Sequence, residues 1–368
     1  MTEPVKVLQM IASLNYGGSQ AMIVNLIRAM NRKNVQCDFI VDHPEYDGMK
    51  ELVESMGCKI YVVPTFKGSN IFDVIRAWND LFEQHPEYQI LHSHSRSYAS
   101  IYLPIARKHG LKTIIHSHNT SNGEGIKAKI KDAMQYPLRY QADYYIGCSK
   151  KAGEWLFGEK IVNSDRFHVL NNAIDTDRFV YNRNIRNRYR KEFSLKDERV
   201  FIQVGRLDEQ KNHLFTLDLF RDYLNEDPDG RLFIVGNGVL KEQVVKRIND
   251  LGIKDRVIML EFRDDVNNLL QMADIFLMPS LFEGLSVAAI EAQASGIRCL
   301  CSDNCDHNVD VTGLCEFLPL DKPRWLDKMS ELYVRRNKKQ DIIKAGFDVN
   351  STAKWLEEFY QDIVNNDE

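Results

Sequence analysis

Apolar runs of four to seven residues alternate with helical sequence along this chain, and no other feature constrains its fold as much. Strands separated by a helix pair in parallel, because each crossover returns the chain to the same end of the sheet. The first half contains such runs at 5–11, 35–41, 59–63, 89–93, 112–116, 144–147 and 167–170. The second repeats the plan at 200–204, 231–235, 256–260, 274–278 and 297–301. At 368 residues the chain is too long for one ordinary core, so the pattern predicts two doubly wound α/β domains. The stretch 177–197 is polar, rich in Arg and Asn and without a strand pattern, which puts the boundary there.

Two carboxylates flank a helix start in the second half. Glu283 precedes Gly284, Ser286 is a good N-cap, and 287–294 reads as a helix ended by Gly296, with Glu291 upon it. Unpaired first-turn amides and the helix dipole make such an end an anion site. Glu291, about 8 Å further along the axis, would face the neutral part of the same ligand. A diphosphate at the amides and a ribose diol at Glu291 fit this layout, and two solvated acids fit it as well. A second cluster, Val204-Gly-Arg-Leu-Asp-Glu-Gln-Lys-Asn212, follows the strand at 200–204 and sets Arg206 and Lys211 on one loop, two cations suited to clamping diphosphate.

Taken together, Gly205-Arg206, Lys211-Asn212, Val235-Gly-Asn-Gly238, Ala273-Asp274 and Pro279-Ser280 followed by Glu-x7-Glu resemble the C-terminal half of a family-4 glycosyltransferase of the GT-B fold. The N-terminal half resembles it too. Gly17 and Gly18 follow the first strand, and His118 ends a strand where that family has its active-site histidine. Asn171-Asn-Ala-Ile-Asp175 is similar to its Asn-Gly-Ile-Asp hinge, with Ala173 for the glycine. The resemblance implies two Rossmann-like parallel-sheet domains facing a cleft: 1–178 for the acceptor, 179–352 for the nucleotide sugar, and a closing helix at 353–368 crossing back to the first.

It also implies a retaining, metal-independent transfer of a sugar, with no cofactor beyond the donor, which is expected to be a UDP-sugar. Glu291 would hold the ribose, Glu283 the hydroxyls of the transferred sugar, and His118 would lie near that sugar or its acceptor. Arg206, Lys211 and the amides around Leu285–Val287 would stabilise the leaving diphosphate. The donor set implied is Gly17, Gly18, Gly205, Arg206, Lys211, Gly236, Arg263, Gly284, Leu285, Ser286, Val287 and Glu291, with His118, Glu283, Arg206 and Lys211 catalytic. His116-Ser-His-Asn119, Glu291-Ala-Gln-Ala and the 301–320 stretch are similar to bacterial capsule and exopolysaccharide transferases acting on lipid-linked oligosaccharides. Glu261 and Asn308 depart from that pattern, replacing a glycine and an acid.

Other classes find less support. Gly236-x-Gly238 lacks the third glycine of a dinucleotide fingerprint. A GT-B-fold UDP-sugar 2-epimerase would need an elimination acid/base pair that cannot be picked out, and a non-catalytic sugar-nucleotide sensor has no use for His118 with both glutamates. The pairs His92/His94 and His116/His118 could share strand faces and converge on a metal, but no acid or cysteine adjoins them. Cys299, Cys301 and Cys305 lack the paired Cys-x2-Cys spacing of zinc sites, and seven cysteines in all suggest reduced thiols in a cytoplasmic protein. No segment approaches the ~20 apolar residues of a membrane span. Residues 104–151, however, carry nine basic and three acidic residues. Within them Ile126, Ile130 and Met134 alternate with Lys127, Lys129 and Lys131, a pattern that suits an anionic membrane surface or a solvated helix face. The acidic chain as a whole shows no nucleic-acid-binding motif.

Overall fold

The computed structural model describes residues 3–15, 18–43, 48–118 and 125–365, except the side chains of Lys127 and Ala128. Of the residues singled out above, Gly17, Asn119 and the Lys127 side chain lie outside the described residues. Two compact units emerge, one of residues 1–173 and 349–368, the other of 174–348.

The first unit is a seven-stranded sheet of β1 (Val5–Ile11), β2 (Val35–Val41), β3 (Ile60–Val62), β4 (Ile90–Ser93), β5 (Lys112–Ser117), β6 (Tyr144–Gly147) and β7 (Phe167–Val169), in the order β3-β2-β1-β4-β5-β6-β7. Every pairing is parallel. The strand order reverses between β1 and β4, where Gln9 is the register partner of His92. Apolar clusters cover both faces, one around Val7, Phe39 and Ile114, the other around Leu8, Trp78 and Tyr102. That two-sided burial is why the strands read as continuous apolar runs.

The second unit holds β8 (Val200–Val204), β9 (Arg231–Val235), β10 (Val257–Leu260), β11 (Ile275–Met278), β12 (Arg298–Ser302) and β13 (Cys315–Leu318), in the order β10-β9-β8-β11-β12-β13, again all parallel. Its reversal lies between β8 and β11. Strand β13 was not anticipated: it is a short edge strand, mostly half-buried, and so lacks the apolar run that marks the others. Cys299 and Cys301 point into the core from β12, and all seven cysteines are unbridged.

The polar stretch expected to hold the domain boundary lies wholly within the second unit. Four of its five arginines sit on the helix Arg183–Glu192, which packs on the helix Val266–Met272. Arg186 donates to the carbonyls of Gln271, Met272 and Ala273 at 3.3, 2.7 and 3.2 Å, and to Asp274 at 2.7 Å; Arg190 donates to Met272 at 3.3 Å. The last carbonyls of a helix have no partner within it, and cations there also oppose its dipole. Accordingly the units divide at 173/174 rather than 178/179. The closing helix likewise starts earlier than expected, at Val349 instead of 353, and it buries Val349, Ala353, Leu356, Phe359, Tyr360 and Ile363 in the first unit's core.

Candidate functional site

In the second unit, β8 runs out into Gly205, Arg206 and Lys211, and β11 into Pro279, Ser280 and Glu283, on either side of the reversal in strand order. In open α/β sheets ligands bind outside the carboxyl ends of the strands at this point. Direct bonds lace the two loops together: the Leu281 amide donates to the Gln210 carbonyl at 2.8 Å, and Asn212 Nδ2 donates to the Pro279 carbonyl at 3.1 Å. Gln203, buried on β8, donates to the Lys211 carbonyl at 2.7 Å and accepts from the Thr216 hydroxyl at 2.7 Å. Asp208 caps the turn by accepting from the Lys211 amide at 3.2 Å.

A third loop closes on these through two glycines. A Cβ at Gly236 would lie 2.0 Å from the Gly205 carbonyl oxygen, and one at Gly238 would lie 2.4 Å from that of Leu207. No other residue allows that approach, so the pair that mimics a dinucleotide fingerprint serves backbone packing. Gly205 itself has φ 155°, and Leu207 donates its amide to the Asn237 carbonyl at 3.0 Å.

The charged side chains do not stand as the sequence suggested. Lys211 and Glu283, read as separate contacts to phosphate and sugar, form an ion pair between two largely buried groups, and Ser280 Oγ donates to the same carboxylate at 3.4 Å. Arg206 is 79% exposed and reaches Asp208 at 3.5 Å. Arg263, assigned to the donor nucleotide, donates twice to Asp265, at 2.7 and 2.6 Å, which commits its guanidinium inside the loop after β10. In that loop Glu261 pairs with Lys241, while Asn308 donates to Asp306 at 2.7 Å in the turn after β12.

The helix Val287–Ala294 starts as predicted at Ser286, but that side chain makes no capping bond. Its first amides therefore remain available to an outside acceptor. Around Gly284 there is open space where a Cβ would stand, and Leu285 and Val287 pack partly on the core. Glu291 accepts no hydrogen bond at its carboxylate from the described residues. Burial pushes this carboxyl up to about 7, against the opposing pull of Arg178. A carboxylate kept partly dry and without donors is poised to take a pair of hydroxyls.

The first unit gathers four histidines at the carboxyl ends of β4 and β5. Gly18, read with Gly17 as a glycine turn, opens the helix Gly18–Ala29 and is exposed. His94 Nδ1 lies 2.9 Å from His118 Nε2, His94 Nε2 lies 2.9 Å from Gln9 Oε1, and Gln9 Nε2 donates to the Tyr360 hydroxyl at 3.0 Å. That hydroxyl is 2.6 Å from His92 Nδ1. His118 and His116 stack at 4.0 Å, and neither nitrogen of His116 has a partner among the described residues. Burial pushes His118 down to about 4 and His92 to about 3, and holds His94 and His116 well below the usual range. The rings are therefore neutral at physiological pH.

His92, His94 and His116 each bring one nitrogen within 4.8 Å of the others, close enough to raise the question of a metal ion. Their geometry suits one poorly. His92 is inclined at only 27° to His94 and 16° to His116, and imidazole lone pairs lie in the ring plane, so stacked rings aim them side by side. Both His94 nitrogens are engaged already. Gln9, His94 and Tyr360 had no assigned role in the sequence, although a glutamine inside the apolar run 5–11 was a signal.

Residues 16–178 match the family described as Glycosyltransferase Family 4, and residues 185–316 that described as Glycosyl transferases group 1. EpsF of Bacillus subtilis (strain 168), provisionally named a glycosyltransferase, is 28% identical over 347 residues, 92% of this chain and 90% of its own length. An Escherichia coli protein named UDP-Gal:alpha-D-GlcNAc-diphosphoundecaprenol alpha-1,3-galactosyltransferase is 26% identical over 76% of this chain and 77% of its own. Among solved structures, Anabaena HepE in complex with UDP superimposes with a TM-score of 0.73 at 16% identity, covering 98% of this chain and 99% of that one, which bears on the fold alone.

Proposed function

The chain is a glycosyltransferase of the GT-B fold, a family-4 domain followed by a group-1 domain, and on that premise we propose that it transfers a sugar from a nucleotide sugar, with retention and without a metal ion, to a lipid-linked oligosaccharide in surface polysaccharide synthesis. The observation that carries this reading is the pair of laced loops at the second unit's strand reversal. One loop carries Arg206 and Lys211, and the other leads into the helix Val287–Ala294 with its uncapped first amides, groups that favour an anion. As the bond from the anomeric carbon to the diphosphate breaks, charge grows on phosphate oxygen, and fixed donors there act on the transition state. The donor is a UDP-sugar in this reading, supported by the UDP-Gal in the name of the Escherichia coli relative. The polyprenyl acceptor follows from the name of the Escherichia coli relative.

Incubation with a panel of nucleotide sugars and no acceptor is expected to release nucleoside diphosphate slowly from one of them, and EDTA should leave the rate unchanged, because the cations at the leaving group are side chains. A sugar converted to its epimer, or binding without turnover, would defeat the transferase reading. Loss of activity in EDTA with recovery on adding Mg²⁺, Mn²⁺ or Zn²⁺ would overturn metal independence.

A membrane-bound acceptor also accounts for the helix Ile126–Gln135. No described helix is long and apolar enough to cross a membrane, yet this one leaves its apolar stripe uncovered: Ile126 is 78% exposed, Ile130 55% and Met134 36%, with Lys129 and Lys131 beside them. An amphipathic helix with no buried apolar side chain among its described residues suits the boundary of an anionic bilayer, where each basic residue contributes about 1 kcal/mol. Changing Lys127, Lys129 and Lys131 together to Glu should abolish sedimentation with anionic liposomes while hydrolysis of the soluble donor persists. Equal sedimentation at low salt, where surface charge acts most strongly, would leave the helix a solvated face.

A further inference from the structure

We propose that Gln9, His94 and Tyr360 are positioning residues that hold His118 in a single tautomer through an unbroken line of hydrogen bonds from the closing helix. The line runs from His118 Nε2 to His94 Nδ1, from His94 Nε2 to Gln9 Oε1, from Gln9 Nε2 to the Tyr360 hydroxyl, and from that hydroxyl to His92 Nδ1. Its members come from β1, β4, the end of β5 and the helix Val349–Asn365, all within the first unit.

With the Gln9 amide oriented as it stands, Oε1 toward His94, counting protons gives the direction of every link. A neutral imidazole carries one N–H and one lone pair. His94 uses both nitrogens, so it must donate on one side and accept on the other. The Gln9 oxygen faces it, so His94 donates from Nε2 and accepts at Nδ1. His118 must then donate from Nε2, which leaves its lone pair on Nδ1, and the Asn172 side chain is its other hydrogen-bonding neighbour. At the other end the Gln9 amide is spent on Tyr360, whose hydroxyl is left to donate to His92. The orientation of one amide thus decides which nitrogen of His118 is basic. In this orientation Gln9 Nε2 donates both to Tyr360 and to the Cys37 sulfur, at 3.5 Å, inside a core that leaves it 1% exposed.

The buried setting keeps the line in one register. Tyr360 is fully buried, His92 is 1% exposed, and the positive charge of Arg96 near His118 disfavours a second proton on that ring. Burial holds all four rings neutral, which is the condition the proton count requires. A histidine that meets the sugar or its acceptor as base or donor works only in the right tautomer. The value of the relay to catalysis rests on the proposed role of His118; the tautomer itself does not.

Nitrogen-15 NMR of histidine-labelled full-length enzyme, with His118 assigned by comparison with His118→Ala, reads the tautomer directly. The wild type should show only the Nε2–H form, and Tyr360→Phe and Gln9→Leu should each show a mixture. Turnover in these variants should fall by about tenfold or more, as for other residues that orient a working imidazole, while the affinity for nucleoside diphosphate stays the same. In a His118→Ala background neither change should lower turnover further. A single unchanged tautomer in both variants overturns the proposal. So does a further fall in the His118→Ala background as large as in wild type, since that marks general loosening of the core. Full activity of His118→Ala would defeat the site reading alone, and the NMR result would still judge the relay.

Discussion

Arg206→Ala should lower kcat/KM for the donor by about 10²-fold or more while leaving thermal stability unchanged, and Lys211→Ala should lose at least as much activity and several degrees of melting temperature besides. Both cations are assigned to the charge that develops on the leaving diphosphate, and removing one such group commonly costs about 10²–10³ in rate. They differ in the free protein. Arg206 is an exposed side chain whose carboxylate contact, at 3.5 Å, contributes little, as surface pairs generally do. Lys211 neutralises the largely buried Glu283, so its removal strands a carboxylate at a cost of about 1–3 kcal/mol. The double variant Lys211→Ala/Glu283→Gln separates the effects: melting temperature should recover and turnover should not. Differential scanning fluorimetry alongside donor hydrolysis measures both. Near-normal turnover in Arg206→Ala and in the double variant would remove these residues from the mechanism.

Sequence revealed the strands best where burial on both faces makes them continuous apolar runs: β1, β2, β6, β8 and β9 begin and end where expected. It failed where a different force sets the structure. The 177–197 stretch read as a domain boundary because it is polar and arginine usually seeks water, whereas here Arg186 and Arg190 satisfy helix carbonyls. The two glutamates and two cations were visible as motifs within short loops. Their pairing was not, because Lys211 and Glu283 are 72 positions apart and meet only once β8 and β11 lie side by side. The same limit hid the histidine relay. Gln9 and Tyr360 are 351 positions apart, and nothing local to either marks the other. The two histidine pairs, by contrast, were plain in the sequence, though whether they meet depended on the pairing of β4 with β5, which only the fold shows.

Glu291→Gln should weaken nucleoside diphosphate binding about tenfold or more at pH 8 and abolish most of its pH dependence between 6 and 8, whereas Glu283→Gln should bind the nucleotide at least as well as wild type. Glu291 must be ionised to accept two ribose hydroxyls, and burial places its titration at about 7 rather than the usual 4.5. Affinity should therefore climb as pH rises through 7, by no more than about tenfold per unit for a single proton. The terminal phosphate of the ligand also titrates, near 6, so the informative quantity is the difference between wild type and Glu291→Gln. Stability supplies an independent check of sign. The folded protein holds this proton more tightly than the unfolded chain, so Glu291 costs stability as pH rises from 4.5 to 7, and Glu291→Gln should flatten that loss. Glu283 behaves differently because it is occupied by Lys211: replacing it frees the ammonium for phosphate and leaves the ribose contact untouched. Its loss should appear in kcat, where positive charge develops on the transferred sugar beside it. Calorimetry with UDP from pH 6 to 8 decides the matter. Equal weakening in both variants, or a wild-type profile as flat as that of Glu291→Gln, would show that Glu291 is not the carboxylate that grips the ribose.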